Sequence, residues 1–339
     1  MEKILIIQTA FIGDAVLTLP MIQKLKEIFY GSELHVLCIP DTQEIFANSP
    51  SVDRTLVMDK KGKDRNFLSL LKFISKITSE KYTRIYSPHR SFRSSILVRF
   101  SGVEHTYGFS NSSFKSAYRY LIRYESKIHE VQRNFDLIGF LYNAENWKIL
   151  PEIKLTQTLL IPLEKIFVNY NTGSKFSVIA PGSIWNTKKY PLEYFSEVIK
   201  YFLKKDFYVL LLGGKNDRSL CEQIASGFDE KVVPAAGKFS LVESIEILRK
   251  SEMLVSNDSA PTHLGVCADI PVLTLYCSTV PDFGFYPYNS KSRYLSYNDL
   301  PCKPCGIHGY KKCPVKTFAC GYNLKPAIVI SKIEEMLND

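Results

Sequence analysis

MLVSNDSAPTHLG, residues 253–265, sets the fold of this chain. The apolar run Met253, Leu254, Val255 has the character of a buried strand. It stops at once, in small and polar residues. Pro261 then suits the first turn of a helix, which puts His263 and Leu264 one turn in. A strand passing through a short polar turn into a helix is the building block of a parallel α/β sheet. Two readings of the polar turn compete. One is a well-capped helix start. The other is a cradle for a diphosphate, built from the unpaired N–H groups of the first helical turn with Asp258, Ser259, Ala260, Thr262 and His263 around them. Strand carboxyl ends are where open α/β sheets bind ligands.

Working outward, the same alternation runs through the chain. Strand-like segments at 4–7, 34–39, 55–57 and 84–86 are separated by helical stretches near 17–29, 42–47 and 67–78. In the last of these Leu68, Leu71, Ile74 and Ile77 recur at spacing three, one face of a helix. The pattern restarts with strands at 176–180, 208–212, 232–234, 253–255 and 272–275, helices near 192–204, 219–228 and 241–249, and a closing helix over 325–337. At 339 residues, two domains are expected. Both are doubly wound α/β domains, with their strand ends on a shared cleft. They occupy 1–160 and 174–324, the second carries a cysteine-rich segment at 302–320, and a C-terminal helix follows over 325–339. The linker is placed near 160–174, whose end, NYNTGSK, is rich in turn formers.

Composition narrows the class. With 45% hydrophobic and 23% charged residues the chain has an ordinary globular balance. It holds no apolar run of the ~18 residues that a membrane span needs. The N-terminal apolar run is short and lacks a cleavage site, so it reads as a first strand and a cytoplasmic location is expected. A net charge of +9 favours acidic partners: nucleic acid, anionic membrane or phosphorylated small molecules. The basic residues are scattered, with groups at 60–63, 90–99 and 311–312, and no nucleic-acid module accompanies them, so nucleic acid is set aside.

Three further stretches sit at strand ends. QTAFIGDAVLTLP, 8–20, runs from a strand through Gly13 into a helix beginning at or near Asp14, without the G-x-G-x-x-G of a dinucleotide site. Asp14 is either a helix cap or a carboxylate placed to act as general base; spacing alone favours the cap. VIAPGSIWNTKKYPLEYF, 178–195, offers Ser183, Thr187 and Lys188 ahead of Pro191, a phosphate site by its N–H groups and ammonium, with solvated lysines as the competing reading. It is not a Walker A sequence. In LLGGKNDRSL, 211–220, Asp217 stands at a helix start, either as a cap or as an acceptor for two ribose hydroxyls.

Of eight cysteines, Cys38, Cys221, Cys267 and Cys277 stand alone and read as small buried hydrophobes. Cys302, Cys305, Cys313 and Cys320 form C-x2-C-x7-C-x6-C, with His308 inside. In a cytosolic protein this spacing points to a thiolate site for Zn or Fe before a disulfide framework. Such a metal would be structural, because four protein ligands leave no open position. Free thiols in a reduced, Pro-rich loop are the alternative.

FIGDAVLTLP, APGSIWNTKKYP and SNDSAPTHLG, in that order, resemble glycosyltransferase family nine, the heptosyltransferases of lipopolysaccharide core assembly. GKFSLVESIEILRKSEMLVSNDS and HEVQRNFDLI resemble it too. The resemblance covers nearly the whole chain. It implies the GT-B architecture, two Rossmann-like domains about a central cleft. It implies a nucleotide-sugar donor, usually ADP-heptose, held mostly by the second domain, and an anionic glycolipid acceptor against the first. Transfer inverts the anomeric centre, with no cofactor or divalent metal needed for the chemistry. By motif position, Asp14 resembles the family's general base and Lys188 its phosphate-neutralising lysine. Asp258, Ser259, Ala260 and His263 match the diphosphate turn, and Asp217 the acidic residue near the ribose. Arg90 and Arg93, read as sharing a helix face, are the expected ligands of acceptor phosphates. The chain has Tyr190 where the family commonly has Trp, and Ala260 where it has Gly. The resemblance also implies work beside the inner face of the inner membrane. Heptosylation of a protein, nucleotide-sugar epimerisation and non-catalytic sugar-nucleotide binding are the alternatives. An epimerase needs acid/base groups on both faces of the sugar, and only Asp14 is a clear candidate.

Overall fold

The computed structural model describes residues 2–154, 162–171 and 173–338. The chain forms two compact units that divide after Lys154. Part of the expected linker, residues 160, 161 and 172, lies outside the described residues.

The first unit runs β1 (Lys3–Ile7), α1 (Ile12–Ile28), β2 (Glu33–Cys38), α2 (Pro40–Ala47), β3 (Arg54–Val57), α3 (Phe67–Ser79), β4 (Arg84–Ser87), α4 (Phe92–Arg99), β5 (His105–Phe109), β6 (Tyr120–Ile122) and α5 (Glu130–Ile138). Its strands pair in parallel in the order β3-β2-β1-β4-β5-β6. The second unit runs β7 (Lys175–Ala180), α6 (Leu192–Lys204), β8 (Phe207–Leu211), α7 (Arg218–Ala225), β9 (Val232–Pro234), α8 (Leu241–Arg249), β10 (Leu254–Asn257), α9 (Ala260–Cys267), β11 (Val272–Tyr276), β12 (Arg293–Ser296), α10 (Ala319–Tyr322) and α11 (Pro326–Asn338). Its order is β12-β11-β10-β7-β8-β9, again parallel throughout. Counted from the first strand of each unit, both sheets read 3-2-1-4-5-6, the doubly wound order. The expected α/β class, GT-B with two Rossmann-like units, is the one the chain adopts. The winding reverses between β1 and β4 in one sheet and between β7 and β10 in the other.

The central strands are apolar because helices cover both faces. Ile4 to Ile7 of β1 and Val209 to Leu211 of β8 have no exposed surface. The first core gathers Leu5, Ile7, Leu37, Leu56, Ile85 and Leu97. The second gathers Ile179, Phe195, Phe202, Leu211 and Leu273, and α11 adds Val329 and Ile333 to it. Gly265 lets α9 lie close on the sheet: a Cβ there would stand 2.6 Å from Val272 Cγ2. The helix at the first strand begins at Ile12, earlier than the apolar pattern from 17 suggests. Strands β5, β6 and β12 and helices α4 and α5 had no clear apolar signature. Tyr107 and Tyr120 hold β5 to β6 by stacking, centroids 4.7 Å apart.

Candidate functional site

In the second unit, loop 181–191 after β7 and the start of α9 after β10 flank the reversal of winding. Asn257, the last residue of β10, is fully buried. Its Oδ1 accepts the Tyr190 N–H at 2.9 Å, and its Nδ2 donates to the Pro181 carbonyl at 2.8 Å. One side chain thereby pins both ends of the loop that carries Lys188. Asp258 comes next. Its Oδ2 takes the Lys188 ammonium at 2.6 Å and the Thr279 hydroxyl at 2.6 Å. Lys188 Nζ also donates to the Asp258 carbonyl at 3.2 Å. The Lys188 and Asp258 side chains are only 14% and 12% exposed, so the pair sits in a field little weakened by water.

His263 lies in the first turn of α9 and is 5% exposed. Its Nδ1 has no hydrogen-bond partner among the described residues. Burial, opposed by the Asp258 carboxylate and helped by the Lys188 ammonium, holds its pKa down at about 4. The ring is therefore neutral near pH 7. A buried, unsatisfied ring nitrogen is uncommon and calls for a partner. Ser259 is the residue before α9, yet its side chain caps no N–H of the helix; it donates to the Asn257 carbonyl at 3.3 Å. Ala260 opens the helix. Thr262 is turned inward: its hydroxyl meets the Asn257 carbonyl at 3.2 Å and the Thr274 hydroxyl at 3.1 Å. Lys188, Asp258 and His263 are thus brought together, while Thr262 belongs to the packing beneath them.

Asp217 ends a short turn after β8. Its carboxylate accepts the Gly214 N–H at 2.9 Å. A Cβ on Gly182 would stand 2.3 Å from that carboxylate, so Asp217 abuts the Lys188 loop because Gly182 leaves room for it. Ser183 Oγ lies 3.4 Å from the Trp185 nitrogen.

The cysteine segment clasps the same loop. Thr187 Oγ1 accepts the Tyr310 N–H at 2.8 Å, and the Thr187 N–H donates to the Tyr310 carbonyl at 3.0 Å. Ser278 Oγ donates to Thr187 Oγ1 at 3.0 Å, and Asn186 Nδ2 reaches the Lys311 carbonyl at 3.1 Å. Gly309 adopts φ +78, and a Cβ there would lie 2.9 Å from both the Ser278 and Thr187 hydroxyl oxygens. Thr187 is engaged by this clasp. Cys302, Cys305, Cys313 and Cys320 are free thiols. Among the described residues no group of three or more Cys, His, Asp or Glu is arranged to hold a metal ion. As folded, the four-thiol set does not fit the metal its spacing suggested. Burial raises the Cys305 thiol, with Cys302 and Cys313 adding to it, so the sulfurs do feel one another.

In the first unit Asp14 is the third residue of α1, and its Oδ2 accepts the Phe11 N–H at 3.2 Å. Phe11, not Asp14, holds the cap position, and Asp14 reaches back to it. Burial first, and the Glu130 carboxylate next, lift the Asp14 pKa to about 7 against the opposing backbone N–H groups and Arg90. Glu130 is itself buried and paired with Arg133 at 2.7 Å. The Arg90 and Arg133 guanidinium groups lie 4.2 and 5.0 Å from the centre of the Tyr124 ring. The helix-face reading of Arg90 and Arg93 is corrected: α4 starts at Phe92 with Ser91 as its cap, so Arg90 precedes it. Arg93 is committed elsewhere, donating to the Asp64 and Arg65 carbonyls at 2.7 and 2.8 Å. Across this sheet's reversal, His89 Nδ1 and the Thr9 hydroxyl are 2.8 Å apart. Asn257, Thr279, Glu130, Arg133, Tyr124 and His89 were not picked out from sequence. The available signal was a polar residue ending a buried strand (Asn257) and the charged pair inside HEVQRNFDLI.

Among the described residues no helix is long and apolar enough to cross a membrane. The chain is 22% identical over 337 residues to the Campylobacter jejuni protein named lipooligosaccharide heptosyltransferase 2, covering 98% of this chain and 99% of that one. A solved family 9 glycosyltransferase from Veillonella parvula superposes with TM-score 0.87 at 20% identity, over 99% of this chain and 97% of that one. The Escherichia coli structure described as ADP-heptose lps heptosyltransferase II gives TM-score 0.80 at 17% identity, over 99% and 98%. At such identities the structural likeness speaks for the fold. The sequence profile of glycosyltransferase family 9 (heptosyltransferase) matches residues 70–313, most of the chain. The protein therefore belongs to glycosyltransferase family 9 and is a glycosyltransferase.

Proposed function

We propose that the protein moves heptose from ADP-heptose to a lipopolysaccharide-type glycolipid acceptor, inverting the anomeric centre. The names of its relatives support the sugar and acceptor class. The observation that carries the reading is the unsatisfied Nδ1 of His263, set beside the Lys188–Asp258 pair at a helix start with no side-chain cap. That grouping suits a diphosphate. Its oxygens compete with Asp258 for the Lys188 ammonium and accept hydrogen bonds from the first N–H groups of α9 and from the Nδ1–H of neutral His263. Asp217 accepts the ribose hydroxyls, and Ser183 lines the same loop. The second unit is in this reading the donor unit and the first the acceptor unit, with Arg90 toward acceptor phosphates.

In the reaction the Asp14 carboxylate removes the acceptor hydroxyl proton. That oxygen bonds to the anomeric carbon from the side opposite the diphosphate, the carbon–oxygen bond to phosphate breaks, and ADP leaves with the electron pair. A base with a pKa near the working pH contributes roughly 10²–10⁴-fold. Lys188 and the α9 amides stabilise the charge that grows on ADP.

A panel of nucleotide sugars, read by thermal stabilisation and then by turnover with a heptose-deficient core acceptor, tests the proposal. ADP-heptose is expected to stabilise most, and His263→Ala to weaken its binding by tenfold or more. A different preferred nucleotide sugar, or unchanged donor affinity in His263→Ala, overturns it.

A further inference from the structure

Helix α3 leaves three large apolar side chains in the open: Phe67, Leu68 and Leu71 are 70%, 68% and 44% exposed. At about 100° per residue, Leu71 lies ~40° and Leu68 ~100° around the helix from Phe67, so the three form one stripe. Its other side is accounted for, since Leu70 and Ile77 are buried in the first unit's core. The stripe is therefore surplus to what the fold needs.

The surroundings of the stripe carry one sign of charge. Between positions 60 and 76 stand Lys60, Lys61, Lys63, Arg65, Lys72 and Lys76 against Asp64 alone, a net of 6 − 1 = +5. These six do not occur in the ion pairs formed among the described residues, although Lys60 donates to the Thr9 carbonyl; Lys26, by contrast, pairs with Asp53 at 2.6 Å. The basic loop is also built rather than loose. Asp59 Oδ1 accepts the Gly62 N–H at 2.8 Å, Asp64 Oδ2 accepts the Asp59 N–H at 2.9 Å, and Arg93 grips the Asp64 and Arg65 carbonyls. Asn66 caps α3 by accepting the Ser69 N–H at 2.8 Å. The cations are thus held next to the apolar start of the helix.

We propose that the exposed face of α3, with the basic loop before it, docks the protein on an anionic bilayer. Phe67, Leu68 and Leu71 enter the boundary between headgroups and acyl chains, and Lys61, Lys63, Arg65 and Lys72 lie among the headgroup phosphates. An interfacial helix has this combination of a narrow apolar stripe and flanking cations. A protein partner would have to supply an apolar hollow and several carboxylates together, whereas an anionic lipid surface supplies both everywhere. The surface delivers the enzyme to where a lipid-anchored acceptor resides, but it stands on the exposure and charge of α3 and not on the identity of the donor sugar.

The test is co-sedimentation of the full chain with vesicles of phosphatidylglycerol and phosphatidylethanolamine, free of any glycolipid, beside vesicles of phosphatidylcholine. Binding to the anionic vesicles only, weakening as salt rises, is expected. The double variant Leu68→Glu, Leu71→Glu should lose at least tenfold in partitioning. Lys61→Ala and Lys63→Ala should each lose ~5-fold, as one cation near an anionic surface contributes. All four substitutions are at exposed positions, so melting temperatures should be unchanged. The proposal is overturned if the native chain ignores anionic vesicles, if it binds neutral ones equally, if the Leu68→Glu, Leu71→Glu variant binds like the native chain, or if light scattering shows that these leucines hold a dimer. Because the vesicles contain no substrate, each outcome is independent of the proposed reaction.

Discussion

Asp14→Asn should make the protein more stable at pH 8 while stopping turnover. The folded chain holds the Asp14 carboxyl at about 7, against an ordinary 3.8, chiefly by burial and next by the Glu130 charge. Each pH unit of that difference is about 1.4 kcal/mol. Ionising Asp14 in the fold therefore costs about 4 kcal/mol more than in the unfolded chain, an upper bound because the residue is partly open to water. The sign follows from proton counting. Between pH 4 and 7 the folded state holds a proton that the unfolded state has released, so stability falls as pH rises through this range and is flat above it. Asparagine keeps the shape and still accepts the Phe11 N–H, but it has no charge to strand. Urea unfolding of native protein and Asp14→Asn, followed by a signal from the first unit, should show a gain of up to about 4 kcal/mol at pH 8 that shrinks toward zero at pH 4. Turnover should fall by ~10²–10⁴ with donor affinity nearly intact. Equal or lower stability of Asp14→Asn at pH 8 would show that the carboxylate is not held under stress, and retained turnover would remove it as the base.

Four other outcomes are expected. In kcat/KM against pH, activity should rise with a midpoint near 7, and Glu130→Gln should move that midpoint down by removing the like charge beside Asp14; an unmoved midpoint refutes the coupling. Asn257→Ala leaves the Tyr190 N–H and the Pro181 carbonyl without their partner and should cost about 2–4 kcal/mol in denaturant unfolding; a loss below ~1 kcal/mol refutes the pin. Gly182→Ala sets a methyl against the Asp217 carboxylate and should weaken ADP binding by calorimetry ~10-fold, since nearby groups must shift; native affinity would separate Asp217 from the nucleotide. With no group of three metal-ligating side chains in place among the described residues, less than one equivalent of Zn or Fe per chain is expected in protein purified without added metal; a full equivalent would show that 302–320 closes around an ion.

The architecture was largely legible because its central strands are buried on both faces and so read as plain apolar runs, as at Ile4 to Ile7 and Val272 to Leu275. Two of the four edge strands, β6 and β12, were not. Arg293–Ser296 is charged and only partly buried, and Tyr120–Ile122 is held by ring stacking, which leaves no periodic trace. At the site, Lys188, Asp258 and His263 could be named because each lies in the loop or first helical turn that follows a central strand and carries chemistry in its side chain. The spacing could not tell a hydroxyl turned inward, as at Thr262, from one turned outward. Nor could it show that Arg93 spends its guanidinium on two backbone carbonyls while Arg90, three positions earlier, lies on Tyr124. Both distinctions depend on partners far away in sequence.

Thr187 shares its amide and its hydroxyl with Tyr310. The residue next door to the phosphate-seeking lysine is thereby fastened to a segment more than a hundred positions downstream. Grafting either piece from a cousin without its mate would shear this fastening, so the two should be inherited, swapped or redesigned as a unit.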